Sequence, residues 1–273
     1  MFQSRKKYAL LIFALLLLVA TMYLFYLDFK GSNQGLTFAM LDVGQGDALF
    51  IESPTGTQIM FDTGSARSVL GQLSRVMSPF DKSIDAVVVT NPDADHIAGF
   101  MDILKNYKVG MVFEPGTVND SKIYQNIKTE IKNKNIPNIL ARKGMRLNIG
   151  GGAFIEILFP DRDVSLWDTN DGSIIAKLSY GKISVMLTGD STMLTEKIIL
   201  KENSIGKLAS TVLKVGHHGS PLISDGKNNK YGHPHQDTLD TLSKFGAKVF
   251  RTDLLGTIIM KSDGQNVKFS FMK

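Results

Sequence analysis

The apolar run Ala86-Val87-Val88-Val89 passes without a break into Thr90-Asn91-Pro92-Asp93-Ala94-Asp95-His96. An unbroken β-branched run of this length reads as a strand buried on both faces, so the fold needs a layer on each side of it. The same strand must release two carboxylates and an imidazole close together at its end. Groups of that kind repel one another and lose water unless a cation holds them together. The spacing therefore suggests a metal site, with its remaining ligands supplied by other strand ends.

Four further segments carry that chemistry. Phe61-Asp62-Thr63-Gly64, Leu187-Thr188-Gly189-Asp190 and Val215-Gly216-His217-His218-Gly219-Ser220 each follow or close an apolar run, and Tyr231-Gly232-His233-Pro234-His235 reads as a loop. Glycines beside the polar residues let the backbone turn sharply and approach a ligand closely. All five histidines, His96, His217, His218, His233 and His235, fall in these segments. Surface histidines scattered at random would seldom do so.

Alternation predicts a strand over 36–42, then strands over 47–52 and 57–61 joined by the turn Ser53-Pro54-Thr55-Gly56. Further strands are expected over 84–90, 110–113, 153–159, 174–180, 183–187, 211–215, 248–252, 257–260 and 267–271, with Gly181-Lys182 as a hairpin turn. Helices are expected over 68–77, 99–108, 121–135, 191–201 and 238–245; Ile123, Ile127 and Ile131 share one stripe of the third, which Pro137 stops. Grouped strands with helices between them imply an α/β (α+β) architecture of two mixed sheets packed face to face with helices outside.

The start of the chain has a different character. Arg5, Lys6 and Lys7 precede residues 8–27, which are apolar apart from Thr21. Such a helix, rising about 1.5 Å per residue, spans about 30 Å, the hydrocarbon thickness of a bilayer. Tyr8, Tyr23 and Tyr26 lie near its ends, as interfacial aromatics do. Positive charges favour the cytoplasmic side, which would place the chain from residue 28 onward outside the cell membrane as a single-pass protein. A cleaved signal peptide is the alternative, disfavoured by the length of the run and the lack of a small-x-small site after it. The expected organisation is an anchor at 1–27, a linker at 28–35 and one domain at 36–273. Removing the anchor's three positive charges from the formal +5 leaves +2, which gives little support for nucleic-acid binding. The absence of cysteine excludes disulfides, thiolate zinc sites, a cysteine nucleophile and a lipoprotein anchor.

The segments just described, together with Leu41-Asp42-Val43-Gly44-Gln45-Gly46-Asp47-Ala48 and Arg251-Thr252-Asp253-Leu254-Leu255-Gly256-Thr257, resemble in content and order the metallo-beta-lactamase-like domain of the ComEC competence-protein family. The resemblance covers nearly everything after the anchor. It implies a four-layer αββα metallo-beta-lactamase-like sandwich with a metal-dependent hydrolase site at one edge, in a family whose domain is proposed to be a nuclease attached to a DNA-uptake channel. The multi-span channel has no counterpart here, so a transport role does not carry over. By the same resemblance Asp93, Asp95, His96, Asp190 and His217 are the metal ligands, Asp190 being the one that bridges two metals. Two departures stand out. Asn91 occupies a position usually held by histidine, and an amide is a poor ligand beside imidazole, which should weaken one of the two metal positions. The stretch between Ser220 and Tyr231 lacks roughly one helix-plus-strand unit.

One or two divalent ions, zinc or manganese, are thus the expected cofactors, because oxygen-rich sites with imidazole suit both. A cation so held would acidify a water toward neutrality and offset charge on a phosphoryl oxygen. Asp93 would complete a second metal position or orient the water; His218, Ser220 and His233 are candidates to bind phosphate or protonate a leaving group. Asp47 and Asp62 would stand behind the ligands, holding imidazoles or loops. His233 and His235 equally fit a structural turn around Pro234. Lys122, Lys128, Lys132, Lys134, Arg142, Lys143 and Arg146 form a basic region that could follow a phosphate backbone, although a solvated helix face is the favoured reading. The expected activity is metal-dependent hydrolysis of a phosphodiester such as DNA, by a membrane-anchored extracytoplasmic domain. The alternative is a catalytically weakened module that binds a partner or nucleic acid. β-Lactam hydrolysis is a weaker third reading, since the fold alone assigns no chemistry.

Overall fold

The structure, a computed structural model, describes residues 2–32, 35–64, 68–214, 222–223 and 236–273. The chain divides into two units, Met1–Gln34 and Gly35–Lys273. The first is a single helix, α1 (Phe2–Ser32). Its stretch Lys6–Phe25, with a mean hydropathy of 2.5, is long and apolar enough to cross a membrane. The helix runs on past Leu27, where a linker was expected, because the residues after Leu27 include no glycine or proline before Gly31.

The second unit begins with β1 (Leu36–Met40), β2 (Leu49–Glu52), β3 (Gln58–Phe61), α2 (Ser68–Val76), β4 (Ser83–Val88), α3 (Ala94–Ile97), α4 (Phe100–Asn106), β5 (Lys108–Glu114), α5 (Lys122–Asn133) and β6 (Asn138–Leu140). It continues with β7 (Arg146–Gly150), β8 (Ala153–Phe159), β9 (Ile175–Tyr180), β10 (Ile183–Leu187), α6 (Met193–Glu202), α7 (Ile205–Leu208), β11 (Val212–Lys214), β12 (Leu222–Ile223), α8 (Gln236–Lys244), β13 (Phe250–Arg251), α9 (Thr252–Leu255), β14 (Thr257–Ser262) and β15 (Val267–Met272).

One sheet has the order β15-β14-β1-β2-β3-β4-β5-β6, the second β11-β10-β9-β8-β7, and β12 pairs with β13. The first sheet is antiparallel from β15 to β3 and parallel from β3 to β6; in the second only β10–β11 is parallel. The strand period of two sorts the side chains into layers. Phe38, Met40, Ile51, Phe61 and Val88 of the first sheet pack against Ile155, Ile157, Leu178, Val185 and Leu187 of the second. Their neighbours Ala39, Phe50, Met60 and Val87 face away, onto Leu73, Phe100, Ile103, Ile127 and Ile131 of the helices. On the far side of the second sheet, Leu158, Ile175 and Met186 pack with Ile199 of α6. The order is helix, sheet, sheet, helix.

Three strands escape a sequence reading. β6 and β7 are short edge strands whose outward side chains are exposed while Ile139, Leu147 and Ile149 turn toward the core, and β12 has only two residues. The helix expected over 99–108 is α4, and a separate short helix, α3, starts before it inside the metal motif, behind Pro92 and Asp93.

Candidate metal centre

Each sheet contributes a parallel strand pair, β3–β4 in the first and β10–β11 in the second. The residues that follow β3, β4 and β10 meet at one edge, beside Lys214 at the end of β11, which is where open α/β sheets place their sites. α3 turns His96 inward until it is fully buried. Its Nδ1 lies 2.7 Å from Asp62 Oδ2. The facing carboxylate fixes the proton on Nδ1, so the neutral ring presents the lone pair of Nε2.

Asp62 is itself tightly held. Thr90 donates to it twice, from the backbone N–H to Oδ1 at 2.7 Å and from the hydroxyl to Oδ2 at 2.5 Å. Its φ of 56° is a left-handed conformation uncommon outside glycine. Strain of this kind collects at functional sites, where the surroundings hold it in place. The next residue reinforces the clamp, because the backbone N–H and hydroxyl of Thr63 both donate to the His96 carbonyl, at 2.7 and 3.0 Å. Gly46 supports the same loop from the other side. It has a φ of 84°, and a Cβ there would sit 1.7 Å from the Asp95 carbonyl oxygen.

His96 Nε2 points toward Asp190, 3.2 Å from Oδ2, without hydrogen-bond geometry. One ligand atom each from Asp95, His96 and Asp190 falls within 4.8 Å of the others. A buried imidazole nitrogen beside two carboxylates leaves a place that a proton or a metal cation fills. Burial works to lower the His96 pKa, yet the charges of Asp190 and Asp62 outweigh it and raise the value well above 6.5. Burial also pushes the Asp62 carboxyl up, with His96 pulling the other way. The donor set fits a divalent cation held by Asp95, His96 and Asp190.

Lys214, at the end of β11, is a buried cation to which the sequence reading gave no role. Its Nζ donates to the Gly189 carbonyl at 2.9 Å, pairs with Asp47 Oδ2 and lies 4.0 Å from Asp190 Oδ1. Burial works against its charge, but Asp47 and Asp190 together raise its pKa above the ordinary lysine value. A lysine closing an otherwise apolar run was the available signal. Asp47 thus contacts Lys214, whereas Asp62 contacts His96.

Asp93 stands apart from the three-residue cluster. Asn119 Nδ2 donates to its Oδ1 at 3.0 Å and the Thr169 hydroxyl to its Oδ2 at 2.8 Å. Asn91 is fully buried. Its Oδ1 accepts from the Asp93 backbone N–H at 2.8 Å, and its Nδ2 donates to Asn170 Oδ1 and Ser173 Oγ at 3.3 and 3.4 Å. No sequence pattern marked Asn119, Thr169, Asn170 or Ser173, because each acts through a contact distant in sequence. His217, His218, Ser220, His233 and His235 lie outside the described residues.

The basic region is partly neutralised. Lys128 pairs with Glu114 at 2.5 Å, Lys143 with Glu202 at 2.5 Å and Lys134 with Glu130 at 3.7 Å, while Arg142 donates to the Pro115 carbonyl. These contacts favour the reading as an ordinary solvated face.

Residues 41–221 match the sequence profile of the metallo-beta-lactamase superfamily. The chain belongs to this superfamily. Curated relatives include ComE operon protein 3 of Bacillus subtilis, 30% identical over 262 residues that cover 80% of this chain and 32% of the relative. Recombination protein 2 of Haemophilus influenzae is 28% identical over 266 residues, covering 90% of this chain and 31% of the relative. The chain thus spans about a third of the length of the curated relatives it matches, which are consistent with the ComEC-like family. Among solved structures, Igni18, a metallo hydrolase from the archaeon Ignicoccus hospitalis, superposes with a TM-score of 0.50 at 16% identity, covering 87% of this chain and all of that one. At that identity the likeness speaks for the superfamily fold.

Proposed function

We propose that this superfamily member is a membrane-anchored, extracytoplasmic metal-dependent hydrolase of phosphodiester bonds, with DNA as the substrate class. The observation that carries the reading is His96, whose Nδ1 is fixed on Asp62 while Nε2 faces Asp190 beside Asp95. Asp95, His96 and Asp190 would hold the cation, and His217 is positioned in sequence to join them. When bound, a divalent cation supplies an acidified water and a counter-charge for a phosphoryl oxygen. Asp62 holds the imidazole in the binding tautomer, and the Asp47–Lys214 pair sets the Asp190 loop through the Gly189 carbonyl. His218, Ser220 and His233 are proposed to meet the phosphate or the leaving group.

The names of the relatives favour nucleic-acid chemistry, and Arg5, Lys6 and Lys7 at the start of α1 favour an outward-facing domain. The detergent-solubilised chain loaded with manganese or zinc is expected to cleave linear DNA or a chromogenic phosphodiester, and to lose that activity in His96→Ala and Asp190→Ala. Full metal occupancy without cleavage of either substrate would favour a second reading, a binding module that has kept the fold. Asn91, bonded to protein groups where the family usually has a ligand, is the observation on that side.

A further inference from the structure

We propose that this chain builds a one-metal centre, in which Asp190 is shared between a single divalent cation and the ammonium of Lys214. The inference rests on the metal-dependent reading above and concerns the residues that the superfamily resemblance assigns to the other metal position.

Those residues do not fit a cation. Both oxygens of Asp93 accept hydrogen bonds from neutral protein donors, Asn119 on one and Thr169 on the other. Two such bonds stabilise the carboxylate without a metal, occupy one lone-pair site on each oxygen and fix its orientation. Asn91 is also committed, since its carbonyl oxygen accepts from the Asp93 backbone and its amide nitrogen donates to Asn170 and Ser173. An amide nitrogen in that role has no lone pair to offer. Asn91 and Ser173 at its centre are buried and the rest is half-buried, so opening it for a metal would leave the Asn91 amide without partners away from water.

Asp190 completes the argument. Oδ2 faces His96, on the side of Asp95, whereas Oδ1 faces Lys214 Nζ at 4.0 Å. Lys214 is held there by the Gly189 carbonyl and by Asp47. A second dication sharing Asp190 would meet this fixed positive charge in a buried setting, where like charges are poorly screened. The carboxylate that joins two metals in the family arrangement here joins one metal and one lysine.

The test is metal content and magnetic state in the full chain, solubilised in detergent, loaded with excess manganese and desalted. Elemental analysis is expected to give one manganese per chain. Electron paramagnetic resonance is expected to show an isolated six-line manganese signal. Asp93→Asn, checked for its fold by circular dichroism, is expected to keep that stoichiometry, and His96→Ala to lose it. Two ions per chain with an exchange-coupled spectrum would overturn the one-metal inference and leave the hydrolase reading standing. Loss of the metal in folded Asp93→Asn would do the same. A wild-type chain that retains no manganese and, in a parallel preparation, no zinc would remove both together.

Discussion

Asp62→Asn tests how the centre is set, because it changes one oxygen to an amide with almost no change of shape. Asn tolerates the left-handed backbone that Asp62 adopts, so added backbone strain is not at issue. The present carboxylate accepts from Thr90 N–H on Oδ1, and from the Thr90 hydroxyl and His96 Nδ1 on Oδ2. If the amide nitrogen takes the Oδ2 place, it donates toward His96, so the ring must accept through Nδ1 and carry its proton on Nε2. A protonated Nε2 cannot hold a cation. If the amide flips, its NH2 opposes the Thr90 N–H, and one buried backbone donor loses its partner at a cost of about 1–3 kcal/mol. The first outcome takes away the lone pair that binds the ion; the second keeps the tautomer but costs fold stability and leaves a neutral acceptor where a carboxylate supported the ring. Removing a group that orients a metal ligand typically costs 10- to 100-fold in affinity, or about 1.4–2.7 kcal/mol. Competition against a chromophoric zinc chelator, parent beside variant, reads that loss. A folded Asp62→Asn chain that binds zinc within twofold of the parent would refute the tautomer argument.

Other consequences follow from the same contacts. Lys214→Met leaves Asp47 and Asp190 buried without their cation and should cost about 3–5 kcal/mol in urea unfolding of the metal-free chain, with Asp47→Asn added to it recovering part of the loss. Gly46→Ala places a Cβ against the Asp95 carbonyl at a φ of 84° and should destabilise by at least about 1 kcal/mol, with a matching fall in the thermal midpoint. In the metal-free chain His96 holds its proton to a pH well above 6.5, so its stabilising effect is full below 6.5 and fades as the pH rises through the folded value. Metal must displace that proton, so affinity should rise with pH over this window. Calorimetry in two buffers of different ionisation enthalpy should show the proton released.

Much of this molecule could be read from sequence because its signals are local. The buried run 86–89 required layers on both faces, and β4 has them. Asp95, His96 and Asp190, picked out by strand ends and resemblance, do converge in one cluster. What escaped was contact-dependent. The string Asp93-Ala94-Asp95-His96 gives no sign of Asn119 and Thr169, which only folding brings onto the two oxygens of Asp93. Lys214 looks like the polar end of a strand until the Asp47 loop closes over it. The edge strands β6 and β7 are short and offer few apolar residues, Ile139 on β6 and Leu147 and Ile149 on β7, to mark the face they turn to the core.

Asp95, His96 and Asp190 are expected to hold an ion where His96 Nε2 points. Crystals of the chain soaked in zinc, with data collected on both sides of the zinc absorption edge, test it directly. An anomalous peak is expected about 2.0–2.2 Å from His96 Nε2, within bonding reach of Asp95 and Asp190. A peak elsewhere with none between these three side chains would contradict it.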